Sequence, residues 1–436
     1  MKKMTSRCHR HFFSACDSRQ LSKLIVSLFI SSVLLFSTAF AAKLSLDEMT
    51  ATLDGRGEFT VDGMDGAAFW ATQNAADKWL HIFDITNSGD TSYDMLKKYT
   101  YAELEEKIRA YSLHDMADVE LIGKSVEGRN IYSLRVGRGD RLILIVTGLQ
   151  AREPAGTAYL MTQLSDLLTA YESGDEETAA FLSRYSIVTI PCGNPDGRSL
   201  LDTADNTDWR ANANGVDLGL NFPASCAGQY AFSSHQAAHE TEKGPSGYAG
   251  DRLGSEPETQ VIMGWLEEYI DQAVIYIGYE QYGRIVYPES SYLSDEEYNT
   301  SLSLAIDIAD FLTRENAAYA VEAERMYLRG WGDGSSADYA AELAVGFLFS
   351  ESYGRLGLEY NGMILPLILY ENAGLYGSSI KARTSPFACV TVEISTKGGT
   401  GYYDNARRNH MGEYNNCGWA DMLFHLMRYA DENLSR

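Results

Sequence analysis

The chain has 436 residues, enough for one large domain or two modest ones, and its 45% hydrophobic content suits a well-buried globular core. Acids outnumber bases by 60 to 36, a net charge of −24, which repels anionic membranes and argues against nucleic acid as a partner. Such a balance says nothing about the fold.

The first elements in chain order are those of an export signal. Lys2, Lys3, Arg7, Arg10, Arg19 and Lys23 precede the apolar run Leu24–Phe36, and Ala39-Phe40-Ala41 offers a small-residue cleavage site near Ala41. A retained anchor is the competing reading. Cleavage would leave 30 basic and 59 acidic residues, a net of −29, in a secreted chain with no later membrane span. Cys192, Cys226, Cys389 and Cys417 would remain, either as disulfides or as buried thiols. No Cys-x-x-Cys occurs to support a cysteine zinc site.

Residues 42–95 are polar and punctuated by Gly and Asp, with one amphipathic stretch around Ala67–Ile82, and read as an N-terminal extension or pro-segment. From residue 96 the pattern changes. Thr100 with Glu103 forms a capping-box signature ahead of a helix. Strand-like runs come next at Val119–Ile122, Asn130–Val136, Leu142–Thr147, Ser186–Pro191, Ala273–Ile277 and Cys389–Ile394. Helical patterns lie at Ala155–Tyr171, Pro257–Ile270, Glu296–Phe311 and Trp419–Ala430. This alternation predicts an α/β fold, a mixed, mostly parallel sheet with helices on both faces, spanning 96–436. Asn194-Pro195-Asp196-Gly197 reads as a turn, and 316–365 as an insertion without clear periodicity.

Function in such sheets gathers where strands end. The strand ending at Thr147-Gly148 is succeeded by the turn Gln150-Ala151-Arg152-Glu153, and Pro154 then opens a helix. Further polar clusters are Trp209-Arg210-Ala-Asn, Gly215-Val-Asp217-Leu-Gly219-Leu220-Asn221, Glu280-Gln-Tyr-Gly283 and Thr391-Val-Glu393-Ile. In this order and spacing the segments resemble the zinc carboxypeptidases, from near Tyr99, with Ile122–Gly137 (IGKSVEGRNIYSLRVG), to about Arg436.

The resemblance implies zinc as cofactor, held by a His-x-x-Glu turn and a His-Ser-Tyr-Gly turn, with peptide-bond hydrolysis near C-termini as the activity. It assigns Glu153 as a carboxylate ligand, Glu393 as general base, Arg210 as the group that polarises the scissile carbonyl and Asp217 as its neighbour. Tyr370 would cap bound substrate and Ile380 would line the side-chain pocket. Gln150 and Glu280 stand where the two histidine ligands belong, and Gly219-Leu220 where an Asn-Arg pair would grip a terminal carboxylate. A Gln150/Glu153/Glu280 set is all oxygen and suits calcium, magnesium, manganese or no metal as well as zinc. His235 and His239 have metal-pair spacing, and His410 and His425 read as structural. Two functions are compatible with these residues: a secreted peptidase acting on peptides or peptidoglycan stems, and a non-catalytic pseudopeptidase that binds them.

Overall fold

The computed structural model describes, with short gaps, residues 51–65, 90–203, 209–224, 242–288, 295–321, 335–344, 358–365, 386–394 and 414–435. The export signal, the Ala67–Ile82 stretch, Cys226, His235, His239, His410, Tyr370 and Ile380 lie outside the described residues.

The described strands are β1 Ala51–Leu53, β2 Phe59–Val61, β3 Met64–Asp65, β4 Ala117–Lys124, β5 Asn130–Gly137, β6 Arg141–Thr147, β7 Tyr185–Ile190, β8 Ala273–Gln281, β9 Ile285–Pro288, β10 Ala320–Val321, β11 Leu358–Tyr360, β12 Met363–Leu365 and β13 Ala388–Ile394. The helices are α1 Tyr101–Ala110, α2 Pro154–Glu172, α3 Glu176–Arg184, α4 Pro195–Thr203, α5 Pro257–Tyr269, α6 Asp295–Leu312, α7 Ser336–Ala344 and α8 Met422–Asn433. Eight of the strands form one sheet in the order β10-β9-β13-β8-β6-β7-β5-β4. Its centre, β13-β8-β6-β7, is parallel throughout, and antiparallel pairs occur toward both edges. β1–β3 and β11–β12 make two small separate antiparallel sheets.

A parallel sheet covered on both faces needs apolar residues at successive positions, and Leu142–Val146 of β6 are all buried. Alternate residues serve opposite faces. Ile143, Ile145, Ile275, Ile277, Val390 and Val392 join one core with Tyr159, Leu160 and Leu164 of α2 and Leu426 and Met427 of α8. On the other face Trp265 of α5 donates to Ser133 of β5 (2.9 Å), and Tyr276 of β8 contacts Ser336 of α7 (2.7 Å). The predicted α/β sheet with helices on both faces is what forms.

Local signals act at the positions that carry them. Thr100 and Glu103 make both halves of a capping box at the start of α1. Three expectations change. Asn194-Pro195 opens α4 rather than a turn: the Asn194 side chain accepts from Gly197 N (2.8 Å), and Pro195 takes a first-turn position where no N–H is required. β8 runs on to Gln281, because β13 pairs with it from Ala388↔Ile275 to Ile394↔Gln281, so Glu280 is a strand residue. The 316–365 segment contains β10, α7 and the β11–β12 pair.

The chain also buries a polar network on the α5 side. Glu258 accepts from Val126 N and Asn212 Nδ2, both at 3.1 Å. Asp196 accepts from Ser125 Oγ (2.6 Å), Glu127 N (2.8 Å) and Arg129 Nη1 (2.7 Å). Burial pushes the Glu258 carboxyl up to about 8. The folded chain therefore holds a proton that the unfolded chain releases near the ordinary glutamate value of 4.5. This group's contribution is complete below that value and is lost as pH rises toward 8. We expect Glu258→Gln to flatten that slope, with its stability relative to wild type improving from about pH 5 to about pH 8, as read by urea unfolding across that range.

Candidate functional site

The site lies at the carboxyl ends of the parallel strands, where β6 gives way to α2 and β8 and β13 end side by side. Gly148 turns the chain out of β6 with φ +66, a conformation glycine adopts without a Cβ penalty. The turn is then fixed by bonds to its backbone: Asn194 N to Gly148 O (2.9 Å), Asn194 Nδ2 to Leu149 O (3.0 Å) and Ala151 N to Arg210 O (3.0 Å). The last of these ties the turn to the segment carrying Arg210, whose own N–H donates to Pro245 O (2.7 Å).

This scaffold brings Gln150, Glu153, Arg210, Asp217 and Glu280 together. Gln150 Nε2 donates to Glu280 Oε2 at 3.2 Å. Glu153 Oε2 accepts from Gln281 N (2.9 Å), and its Oε1 lies 3.6 Å from Arg210 Nη1. Arg210 Nε is 2.8 Å from Asp217 Oδ2, which also accepts from Gly247 N (3.1 Å). Glu393 is the parallel register partner of Glu280, so the two carboxylates stand on the same face of adjacent strands, both half-buried. Gly283 packs directly against the Glu393 carboxylate, where any side chain would collide with it.

Burial raises Glu153 well above the usual carboxylate range, against the opposing pull of Arg210 and with a further push from Glu280. Glu280 is raised for the same first reason, opposed by Arg210 and reinforced by Asp217 and Asp338. Burial is thus the main cost at both glutamates, and Arg210 is the principal cation opposing it, joined at Glu153 by Arg152.

The family model for zinc carboxypeptidase matches residues 101–356. The chain belongs to the zinc carboxypeptidase family. It is 26% identical over 263 residues to human carboxypeptidase A6, covering 57% of this chain and 57% of that protein, so it spans little more than half that relative's length. It is 28% identical over 215 residues to the inactive metallocarboxypeptidase ECM14 of Ajellomyces capsulatus, covering 46% and 36% of the two chains. Its fold matches the crystal structure of thrombin activatable fibrinolysis inhibitor with a TM-score of 0.56 at 19% identity, over 86% of this chain and 82% of that one.

The donor set does not fit the metal for which this family is named. Zinc sites draw on imidazole or thiolate, and Gln150, Glu153 and Glu280 supply one amide and two carboxylates. Among the described residues no group of three or more His, Cys, Asp or Glu side chains is placed to hold a metal. His425 bonds Asp307 at 2.5 Å and stacks on Phe311 at 3.8 Å, far along the chain in α8, a packing role as expected.

Several members of the site carried no sequence signal. The Gln281 backbone N–H that holds Glu153, the Asp338 charge that acts on Glu280 and the contact of Gly283 with Glu393 arise from strand pairing and from α7. Replacing the cation exposes its role: Arg210→Gln should lower unfolding free energy by on the order of 3 kcal/mol at about pH 7. The deficit should shrink as the pH falls through the raised range of Glu153 and Glu280, above that of an ordinary carboxylate, and these carboxyls take up protons, which paired urea titrations would show.

Proposed function

We propose that this chain is a zinc carboxypeptidase-family protein that holds peptides in its cleft without cleaving them by zinc hydrolysis. One observation carries the reading: Gln150 donates to Glu280 at 3.2 Å. The two positions where the family resemblance expects imidazoles are joined by an N–H···O bond, which leaves the Gln150 amide oxygen without a hydrogen-bond partner. An amide nitrogen bonded in this way presents no lone pair to a metal. Without a bound ion to acidify water, Glu393 has no activated nucleophile to deprotonate.

The relative whose name describes it as an inactive metallocarboxypeptidase is in keeping with this reading. The ligand class we assign is a peptide, free or as the stem of a bacterial wall. Leu220 offers no cation for a terminal carboxylate, so an internal segment or a blocked end serves as well as a free C-terminus. Export through the N-terminal apolar segment would place the protein outside the cytoplasm.

The test is direct. Full-length protein incubated with C-terminally diverse peptides should show no chelator-sensitive cleavage, and elemental analysis should find well under one zinc per chain. The double variant Gln150→His/Glu280→His should gain stoichiometric zinc. Chelator-sensitive cleavage by the unmodified chain would overturn the proposal.

A further inference from the structure

Two segments remote in sequence meet at the site, the turn with Gln150 and Glu153 and the stretch with Arg210 and Asp217. The backbone bond from Ala151 N to Arg210 O (3.0 Å) joins them directly. A second link runs through a side chain. Asn194 is fully buried, and its Nδ2 donates to Leu149 O at 3.0 Å and to Ala211 O at 3.1 Å. An amide nitrogen carries two hydrogens, one for each carbonyl. Leu149 adjoins Gln150 and Ala211 adjoins Arg210, so one planar amide spans both segments.

Its orientation is fixed. Asn194 Oδ1 accepts from Gly197 N (2.8 Å), and the Asn194 backbone N donates to Gly148 O (2.9 Å). A flipped amide would set its oxygen against two carbonyls and its nitrogen against an N–H. The packing is equally tight. A Cβ on Gly197 would lie 2.6 Å from Ala211 O, 2.6 Å from Asn194 Nδ2 and 2.7 Å from Ala151 Cβ, closer than real Cβ atoms approach. Ala211 is itself anchored, its N donating to Pro245 O at 3.0 Å.

The joint sets an electrostatic distance. Arg210 Nη1 stands 3.6 Å from Glu153 Oε1, and Glu153 is only 4% exposed. A buried carboxylate needs a cation nearby, and their attraction weakens as the two separate.

We propose that Asn194 is a positioning residue of the site: its side-chain amide sets the spacing between the 150–153 turn and the Arg210 segment, and so holds the guanidinium against Glu153. This role belongs to the site itself and is independent of what the cleft binds. The competing role is a helix cap, since Oδ1 accepts from Gly197 N in the first turn of α4. Serine at 194 separates the two. It keeps a cap acceptor but has one hydrogen where the amide has two, so the span is lost.

Double-mutant cycles by urea unfolding of the full chain at about pH 7 test the assignment. Arg210→Gln should raise the unfolding constant by at least about fivefold less in Asn194→Ser than in the unaltered chain, because the guanidinium has already receded from Glu153. Gly197→Ala, which wedges the same joint without touching Asn194, should reduce the cost of Arg210→Gln in the same way. Leu426→Ala, in the core beneath α8, should cost the same in all three backgrounds. In the unaltered chain the Asn194 Nδ2 protons should exchange with solvent at least about a hundredfold more slowly than those of free asparagine. An unchanged cost of Arg210→Gln in both variants would reduce Asn194 to a helix cap and overturn the proposal. An equal fall in the cost of Leu426→Ala would do so as well, by showing general loosening. Exchange at the free rate would overturn it even where neither variant folds.

Discussion

The site depends on one guanidinium. Arg210 lies between Glu153 and Asp217, 3.6 Å from one and 2.8 Å from the other, and both carboxylates are almost wholly buried. Carboxylates removed from water need a compensating charge or a proton. Arg210 supplies the charge, and burial still holds the protonation range of Glu153 and Glu280 above the usual one. The backbone bonds from the 150–153 turn to Arg210, and from Arg210 to Pro245, are therefore electrostatic constraints as much as structural ones. They hold the cation where the acids cannot do without it.

The scaffold beneath the site owes nothing to this arrangement. The buried β6, β8 and β13 residues and the helices packed on both faces derive their stability from apolar burial, which is indifferent to the chemistry at the strand ends. A catalytic metal of this family would sit at the rim of such a sheet, outside the core. Its ligands can be exchanged for amide and carboxylate groups while the fold persists. Fold and chemistry separate here, as they do wherever a site is carried on a widely used framework.

Much of that framework is legible in the sequence. The six strand-like runs all fall on strands of the main sheet, Ser186–Pro191 overrunning its strand by one residue, and the Thr100–Glu103 box caps its helix, because apolar runs and caps act over a few residues. Asn194-Pro195 carries a turn signal yet starts a helix, because the same dipeptide serves both purposes and the packing around it selects between them. Glu280 lies on a strand because β13, more than a hundred residues later, pairs with it to the end. The candidate residues Gln150, Glu153, Arg210, Asp217 and Glu280 can be named from the family pattern, and the fold does bring them together. Tyr370 and Ile380 fall outside the described residues.

By itself the sequence determined the fold class, the family and the exchange of imidazole for amide and carboxylate at two positions, since these are matters of residue identity and short-range periodicity. Only the tertiary structure decided what the exchanged residues do to one another. Gln150 and Glu280 are 130 residues apart, and their hydrogen bond exists because β6 and β8 are parallel neighbours. The same holds for the close approach of Gly219 to the side chains of Gln150, Arg210 and Asp217. Whether a polar atom has a partner depends on distances of a few ångströms between segments remote in sequence, and no local pattern encodes those distances.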